Sequence, residues 1–291
     1  MASAPSCPWC HLPLPAGQVT CPHCGAPVDV RIERSESGWA EMPPVRDMAR
    51  IQFGQSTCQI EGAYVPVADC NLAADDWVYF THHVLLWRDP SVTIEVMKLG
   101  GWRRLLAGMP LIMTSARGPG HIAFSRDAAG EMVALPLQPG VAVDVREGHF
   151  LVATGAVSYQ WFQTGVWFVT GGGNEREWHY PLGQFMDRFT APERPGLLLV
   201  HAPGNVFIRT LRQGETMLIK PTALLFKDPS VSMGLHLEYP GNTTGWGRWA
   251  NRYLWLLLQG PGRVAVHSAY EFIEDNGGSI VNMSPATQQQ W

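Results

Sequence analysis

Charge is scarce in this chain of 291 residues: Asp, Glu, Lys and Arg make up 16% of it, against about 25% in an average globular protein. The balance is slightly acidic, with a net charge of -4, which excludes a strongly basic nucleic-acid binder. Long apolar runs are also missing. Leu105 to Met113 is interrupted by Pro110, and Tyr253 to Leu258 is shorter still, so neither approaches the ~18 residues of a membrane span and no membrane insertion is expected. The first basic residue is Arg31, so no basic start followed by an apolar run reads as a secretory signal. Catalytic signatures are absent too. There is no His-x-His of a metal-dependent cupin and no G-x-S-x-G, and Gly171-Gly172-Gly173 lacks the spacing and the following Lys of a phosphate loop. His82 and His83 are adjacent, so on a strand their rings would point to opposite faces and could not share one metal. The chain is read as a non-enzyme.

What the chain does have is turn formers and apolar bulk. Gly and Pro number 30 and 23, hydrophobic residues reach 46%, and there are 12 Trp, a balance that favours strands and turns over helices and supplies a core that a disordered polymer lacks. The expected class is all-β. A turn or two near Gly100 to Leu106 is the one helix candidate.

Of the six Cys, four carry metal-ligand spacing: Cys7-Pro8-Trp9-Cys10, ten residues, then Cys21-Pro22-His23-Cys24 followed by Gly25. Each C-x-x-C knuckle turns two thiolates to one side of a tight bend, and two knuckles complete the tetrahedral four-sulfur cage that Zn²⁺ accepts. Structural zinc is therefore the expected cofactor, with iron in a rubredoxin-like site as the runner-up. His11 and His23 are read as solvated neighbours, and Cys58 and Cys70 as packing residues. Four metal-binding cysteines and no disulfide framework suit a reducing cytoplasm. Residues 1–30 contain no Lys or Arg, so the ribbon has no source of phosphate attraction, and docking of a protein is the better expectation. Residues 29–49 mix charge, Ser, Gly and a Pro pair without period and read as a linker that leaves the ribbon mobile.

The rest of the chain repeats itself. Val84 to Val96 (VLLWRDPSVTIEV) resembles Ala223 to Leu235 (ALLFKDPSVSMGL), with a weaker copy, FLVATGAVSYQW, at Phe150 to Trp161. Leu72, Leu137 and Leu211 fall at matching places ahead of them, and GPGHIAF at Gly118, RPGLLLV at Arg194 and GPGRVAV at Gly260 form a second set. Short strands parted by such turns mean antiparallel pairing, and Asp89-Pro90 and Asp228-Pro229 force a turn because proline lacks the ladder amide. Three such units are expected to close around a pseudo-threefold axis, which removes strand edges. The divisions are a zinc ribbon over 1–28, a linker over 29–49, a three-repeat β domain over 50–275 and a C-terminal tail over 276–291.

The order KLGGWRRLLAG, GPGHIAF, VREGHFLVATGAV, LRQGETMLI and LLLQGPGRVAVHSAY resembles the altered-inheritance-of-mitochondria family over roughly Ile51 to Tyr270. The resemblance implies a fold similar to the tryptophan RNA-binding attenuation protein, a double-stranded β-helix-like unit present three times. It implies a role in membrane or mitochondrial organisation in eukaryotes and brings no catalytic residues with it.

Five residues after each repeat Gly stand Ser125, His201 and His267, which the expected symmetry would gather into a polar cluster, a weak metal site or an anion site; the plainer reading is three strand ends facing solvent. Trp161, Trp167, Trp178, Trp246, Trp249, Trp255 and Trp291 read as core and interface residues before base-stacking ones. Three functions follow in order of preference. First comes a non-catalytic cytoplasmic scaffold or adaptor docking a protein partner through its ribbon. A nucleic-acid-binding module using the ribbon and Arg103-Arg104 is second, and a small-ligand-binding β domain is third. A homo-oligomer is compatible with each.

Overall fold

A computed structural model describes residues 5–97, 113–172, 175–239, 253–271 and 280–284. Apart from two 3₁₀ turns at His82–Val84 and Pro221–Ala223, every regular element among them is a strand. Two short strands lead in, β1 (Ala40–Glu41) and β2 (Ala49–Phe53). A first group follows: β3 (Ser56–Glu61), β4 (Val67–Leu72), β5 (Trp77–Thr81), β6 (Leu85–Arg88), β7 (Thr93–Val96), β8 (Met113–Arg117) and β9 (Gly120–Ser125). The middle group is β10 (Glu131–Leu137), β11 (Ala142–Arg146), β12 (Phe150–Thr154), β13 (Ser158–Gln163), β14 (Phe168–Gly172), β15 (Glu175–His179), β16 (Phe185–Thr190) and β17 (Gly196–Ala202). The last comprises β18 (Val206–Leu211), β19 (Thr216–Ile219), β20 (Leu224–Lys227), β21 (Ser232–Glu238), β22 (Tyr253–Gln259), β23 (Gly262–His267) and β24 (Ile280–Met283).

One pairing scheme recurs in the three groups. β4, β10 and β18 pair with β9, β17 and β23, and the opposite edges of those three pair with β6, β12 and β20. Each of these second ladders carries a register shift at the same place, at Leu85/Trp87, Phe150/Val152 and Leu224/Phe226. β8, β16 and β22 are each flanked by two further strands of their own group. Successive groups are stitched by β5 with β12 and by β11 with β20.

The two repeated sequence motifs meet in space. The Asp89 carboxylate accepts the His121 amide at 2.8 Å and the Asp228 carboxylate accepts the Arg263 amide at 2.7 Å, so each Asp-Pro-Ser turn is pinned to the strand that its Gly-Pro-Gly opens. In the middle group the Thr154 hydroxyl does the same for the Leu197 amide at 3.0 Å. A Cβ on Gly262 would fall 2.8 Å from Ser230 Oγ at a φ of +140°, so this close approach needs glycine.

Of the three ladders that closure around an axis would need, two are made and the third is not seen among the described residues. β6 ends a five-stranded sheet and β19 ends a three-stranded one, and no ladder joins them among the described residues. The reason lies in the faces. The first group presents an Asp69–His121 pair at 3.1 Å and exposed Asn71 where the middle group has Ala134, Leu197 and Pro136. A polar face resists burial. The third core, built on Leu211, Leu235, Leu256 and Val264, instead takes Val166 and Phe168 from beside and within β14 and none of its residues from β2–β9. The helix candidate at Gly100 to Leu106 lies outside the described residues. His82 and His83 lie on a 3₁₀ turn and not on a strand, so the opposite-face argument does not apply to them.

Candidate metal centre

Both knuckles are built alike. In the first, Cys7 O accepts the His11 amide at 2.9 Å; in the second, Cys21 O accepts the Gly25 amide at 2.9 Å, and His11 and Gly25 both take positive φ, 61° and 71°. This turn aims the Sγ atoms inward, and the four of them lie within 4.8 Å of one another. Cys7 and Cys24 are separated by 3.8 Å and Cys10 and Cys21 by 3.7 Å. A tetrahedron with Zn–S bonds of about 2.3 Å has S···S edges of about 3.8 Å, so the cage fits zinc. Hydrogen bonding to Cys10 pushes the Cys7 thiol down and that of Cys21 down to about 7, while Cys10 is pushed up by Cys21 and Cys24 by Cys10. Four thiols so close cannot all ionise alone; a divalent cation removes the conflict. All four positions of the tetrahedron are protein sulfur, the donor set that structural zinc sites use. It is the only cluster of three or more metal-type side chains among the described residues.

The ribbon is not loose, which corrects the expectation of a mobile module. Cys7, Cys21, Cys24 and Ala26 belong to the same buried cluster as Ile51, Ile60, Leu72 and Phe124 of the β domain. The Gln52 amide donates to Pro22 O at 2.9 Å and the Arg46 amide to Gly25 O at 3.2 Å. Residues 29–49, read as a linker, supply Val45 to that cluster and β1 to the edge of β18. Composition flagged their irregularity, but burial of Cys24 and Ala26 against Ile51 is a tertiary fact that no local pattern encodes.

Ser125, His201 and His267 stand at equivalent ends of β9, β17 and β23, with different partners. Ser125 Oγ donates to Pro66 O at 3.2 Å, and His201 Nε2 lies 3.1 Å from Ala128 O. His267 is 3% exposed, and its ring lies 5.0 Å from that of His149. His149 Nδ1 in turn faces His201 O at 2.9 Å. His149, which the sequence reading missed, thus bridges the two named histidines; its counterparts in the repeat are Val84 and Ala223, so symmetry gave no signal for it. Burial pushes His149 down to about 3 and His267 down to about 4, and it lowers His201 as well. Trp161 packs edge-on against Phe185, Trp167 against Trp178, and Trp255 on Tyr253 beneath Lys220. Trp246, Trp249, Trp291 and Arg103-Arg104 lie outside the described residues. Cys58 and Cys70 are buried directly opposite each other across β3 and β4.

Beside the ribbon, a cleft of about 810 Å³ is lined by Trp9, Arg31, Pro43, Val45, Ile60 and Glu131 among others. Two features mark it chemically. The Trp9 Nε1 donor is buried without a partner, and burial raises the Glu131 carboxyl to about 7. No helix among the described residues is long and apolar enough to cross a membrane.

Comparison with known proteins agrees with this architecture. A zinc-ribbon domain model matches residues 6–28. The crystal structure of a protein from Streptococcus pyogenes superposes with a TM-score of 0.54 at 19% identity, covering 74% of this chain and 94% of that one, a likeness of fold alone. A comparison with curated proteins finds no match. The model described as mitochondrial biogenesis AIM24 matches residues 58–269, most of the β domain, and the chain therefore belongs to that family, with a zinc ribbon ahead of it.

Proposed function

We propose that the chain is a non-catalytic cytoplasmic scaffold or adaptor that docks a protein partner at its zinc ribbon. The observation that carries this reading is the placement of a closed four-thiolate centre inside the core shared with the β domain. A metal held on all sides by sulfur contributes folding energy and no open coordination position, so it works by fixing a surface. That surface carries Trp9 into the lining of the 810 Å³ cleft, which it shares with apolar Pro43 and Val45 of residues 29–49 and with the charged Arg31 and Glu131. Apolar centres with charged rims are what protein interfaces use. The absence of Lys and Arg from residues 1–30 argues against nucleic acid. A second reading, a small ligand in the same cleft, draws on the unpartnered Trp9 Nε1 and the raised Glu131 carboxyl.

The test is affinity capture from the native host with and without nuclease, comparing the intact chain with a Cys7→Ser, Cys10→Ser variant. One protein captured by the intact chain and lost in the variant is the expected result. Material released by nuclease would replace the adaptor reading with nucleic-acid binding. Identical capture by both chains would remove the ribbon from the function.

A further inference from the structure

Among the described residues the stitching between groups is left incomplete at one place. β5 pairs with β12 in the register Phe80↔Val152, and β11 pairs with β20 in the register Val145↔Phe226. Aligned on Leu72, Leu137 and Leu211, the strand equivalent to β12 and β20 in the first group is β6, and the strand equivalent to β5 and β11 in the third is β19. Each is an end strand of its sheet on the edge where its counterparts are paired.

Burial tells the same story. Leu151 and Val152 of β12 are 0% and 3% exposed and Leu225 and Phe226 of β20 are both 0%, yet their equivalents Leu86 and Trp87 on β6 are 52% and 45% exposed. Tyr79 and Asp144 are both 0% exposed, while their equivalent on β19, Leu218, is 40%. Natural sheets blunt free edges with lysine, proline or inward charges. Here Leu86, Trp87 and Leu218 leave large apolar side chains beside strand edges that have no ladder partner among the described residues, a combination that marks an edge meant to be covered.

We infer that a second copy of this chain covers it, β6 of one molecule pairing antiparallel with β19 of the next. The two edges are the complementary halves of a ladder that the chain makes twice within itself, which supplies the register: Trp87 opposite Ile219 and Arg88 opposite Leu218. Among the described residues the chain does not close this seam itself: β6 and β19 share no ladder, and the third core takes none of its residues from β2–β9. Edge pairing buries the strand edges with Leu86, Trp87 and Leu218. Because the two surfaces differ, the contact is heterologous and builds a head-to-tail ring or chain of copies. This inference is independent of what the ribbon docks, since purified protein alone tests it.

The experiment is sedimentation of the full-length, zinc-loaded chain over a wide concentration range, with disulfide trapping. The mass is expected to rise above 32.2 kDa with concentration. Trp87→Ser and Leu218→Ser, both at half-exposed positions, should each raise the concentration of half-assembly by about tenfold or more, as the loss of a central interface anchor does, with thermal unfolding unchanged. Trp87→Cys chains mixed with Ile219→Cys chains should form a disulfide-linked pair under mild oxidation, and neither chain should do so alone, because directly opposed strand positions lie within disulfide reach. A 32.2 kDa species at every concentration would overturn the inference. So would a chain carrying both cysteines that closes only on itself, since the seam is then shut within one molecule.

Discussion

Replacing Gly25 with alanine probes the weld between ribbon and body at one atom. Gly25 holds a φ of +71°, and a Cβ there would lie 2.6 Å from Val45 Cγ1, 3.3 Å from Ala49 Cβ and 3.4 Å from Ile51 Cδ1. Gly17 provides the control: its φ is +77°, and nothing lies within 4 Å of its added Cβ. Gly17→Ala therefore carries only the left-handed backbone cost, about 1 kcal/mol. Gly25→Ala carries that cost plus overpacking of a filled site, about 1–3 kcal/mol more, for a total of about 2–4 kcal/mol. In a domain of this size the larger loss lowers the unfolding temperature by on the order of 5–10 °C. The assay is thermal unfolding of both variants and the wild type, each loaded with zinc and checked for metal content. If Gly25→Ala unfolds with Gly17→Ala to within about a degree, there is no tight contact at Val45 and the docked ribbon is wrong.

Two other perturbations follow from buried charge. Asp144 is fully buried and accepts from Lys227 Nζ at 2.9 Å and from Arg188 Nε at 2.6 Å, and Lys227 is itself only 3% exposed. Asp144→Ala strands that ammonium and should cost about 3–5 kcal/mol by urea unfolding, most of it regained in the Asp144→Ala, Lys227→Met double variant. A double variant no more stable than Asp144→Ala would contradict this. His149, held down to about 3, and His267, held down to about 4, remain neutral in the fold while the unfolded chain takes up protons near 6.5. The unfolded state then binds more protons, so their contribution is complete above about 6.5 and is lost as pH falls toward 4. Glu131, raised to about 7, titrates in the opposite sense, so the measured quantity is the difference between His149→Gln and wild type. The variant should lose less stability between pH 7 and 4; parallel curves would mean that His149 is not desolvated.

The parts of this protein legible in its sequence are those whose chemistry is local. Two C-x-x-C knuckles admit few meanings, and the cage they make is present at Cys7, Cys10, Cys21 and Cys24. Asp89-Pro90 and Asp228-Pro229 announce turns because proline removes an amide, and both turns stand where the motif places them. The rest depended on which face meets which. Docking of the ribbon turns on Val45 and Ile51, two ordinary apolar residues whose partner is distant in the chain. The unclosed seam was written in Asp69, Asn71 and His121, but an alternating polar face signals solvent without saying which neighbour is thereby refused. His149 escaped because equivalence by repeat looks only at positions that recur, and here a histidine replaces Val84 and Ala223.

The central claim is that the zinc centre and the β domain form one cooperative body. Hydrogen exchange of the full-length protein with zinc and after its removal by a chelator tests it most directly. The account predicts that metal loss raises exchange in residues 5–28, in Ala49–Phe53 of β2, whose Gln52 amide donates to Pro22 O, and in Glu131–Leu137, which lies along the ribbon. A rise confined to residues 5–28, with β2 and β10 as protected as before, would contradict it and return the ribbon to a tethered appendage.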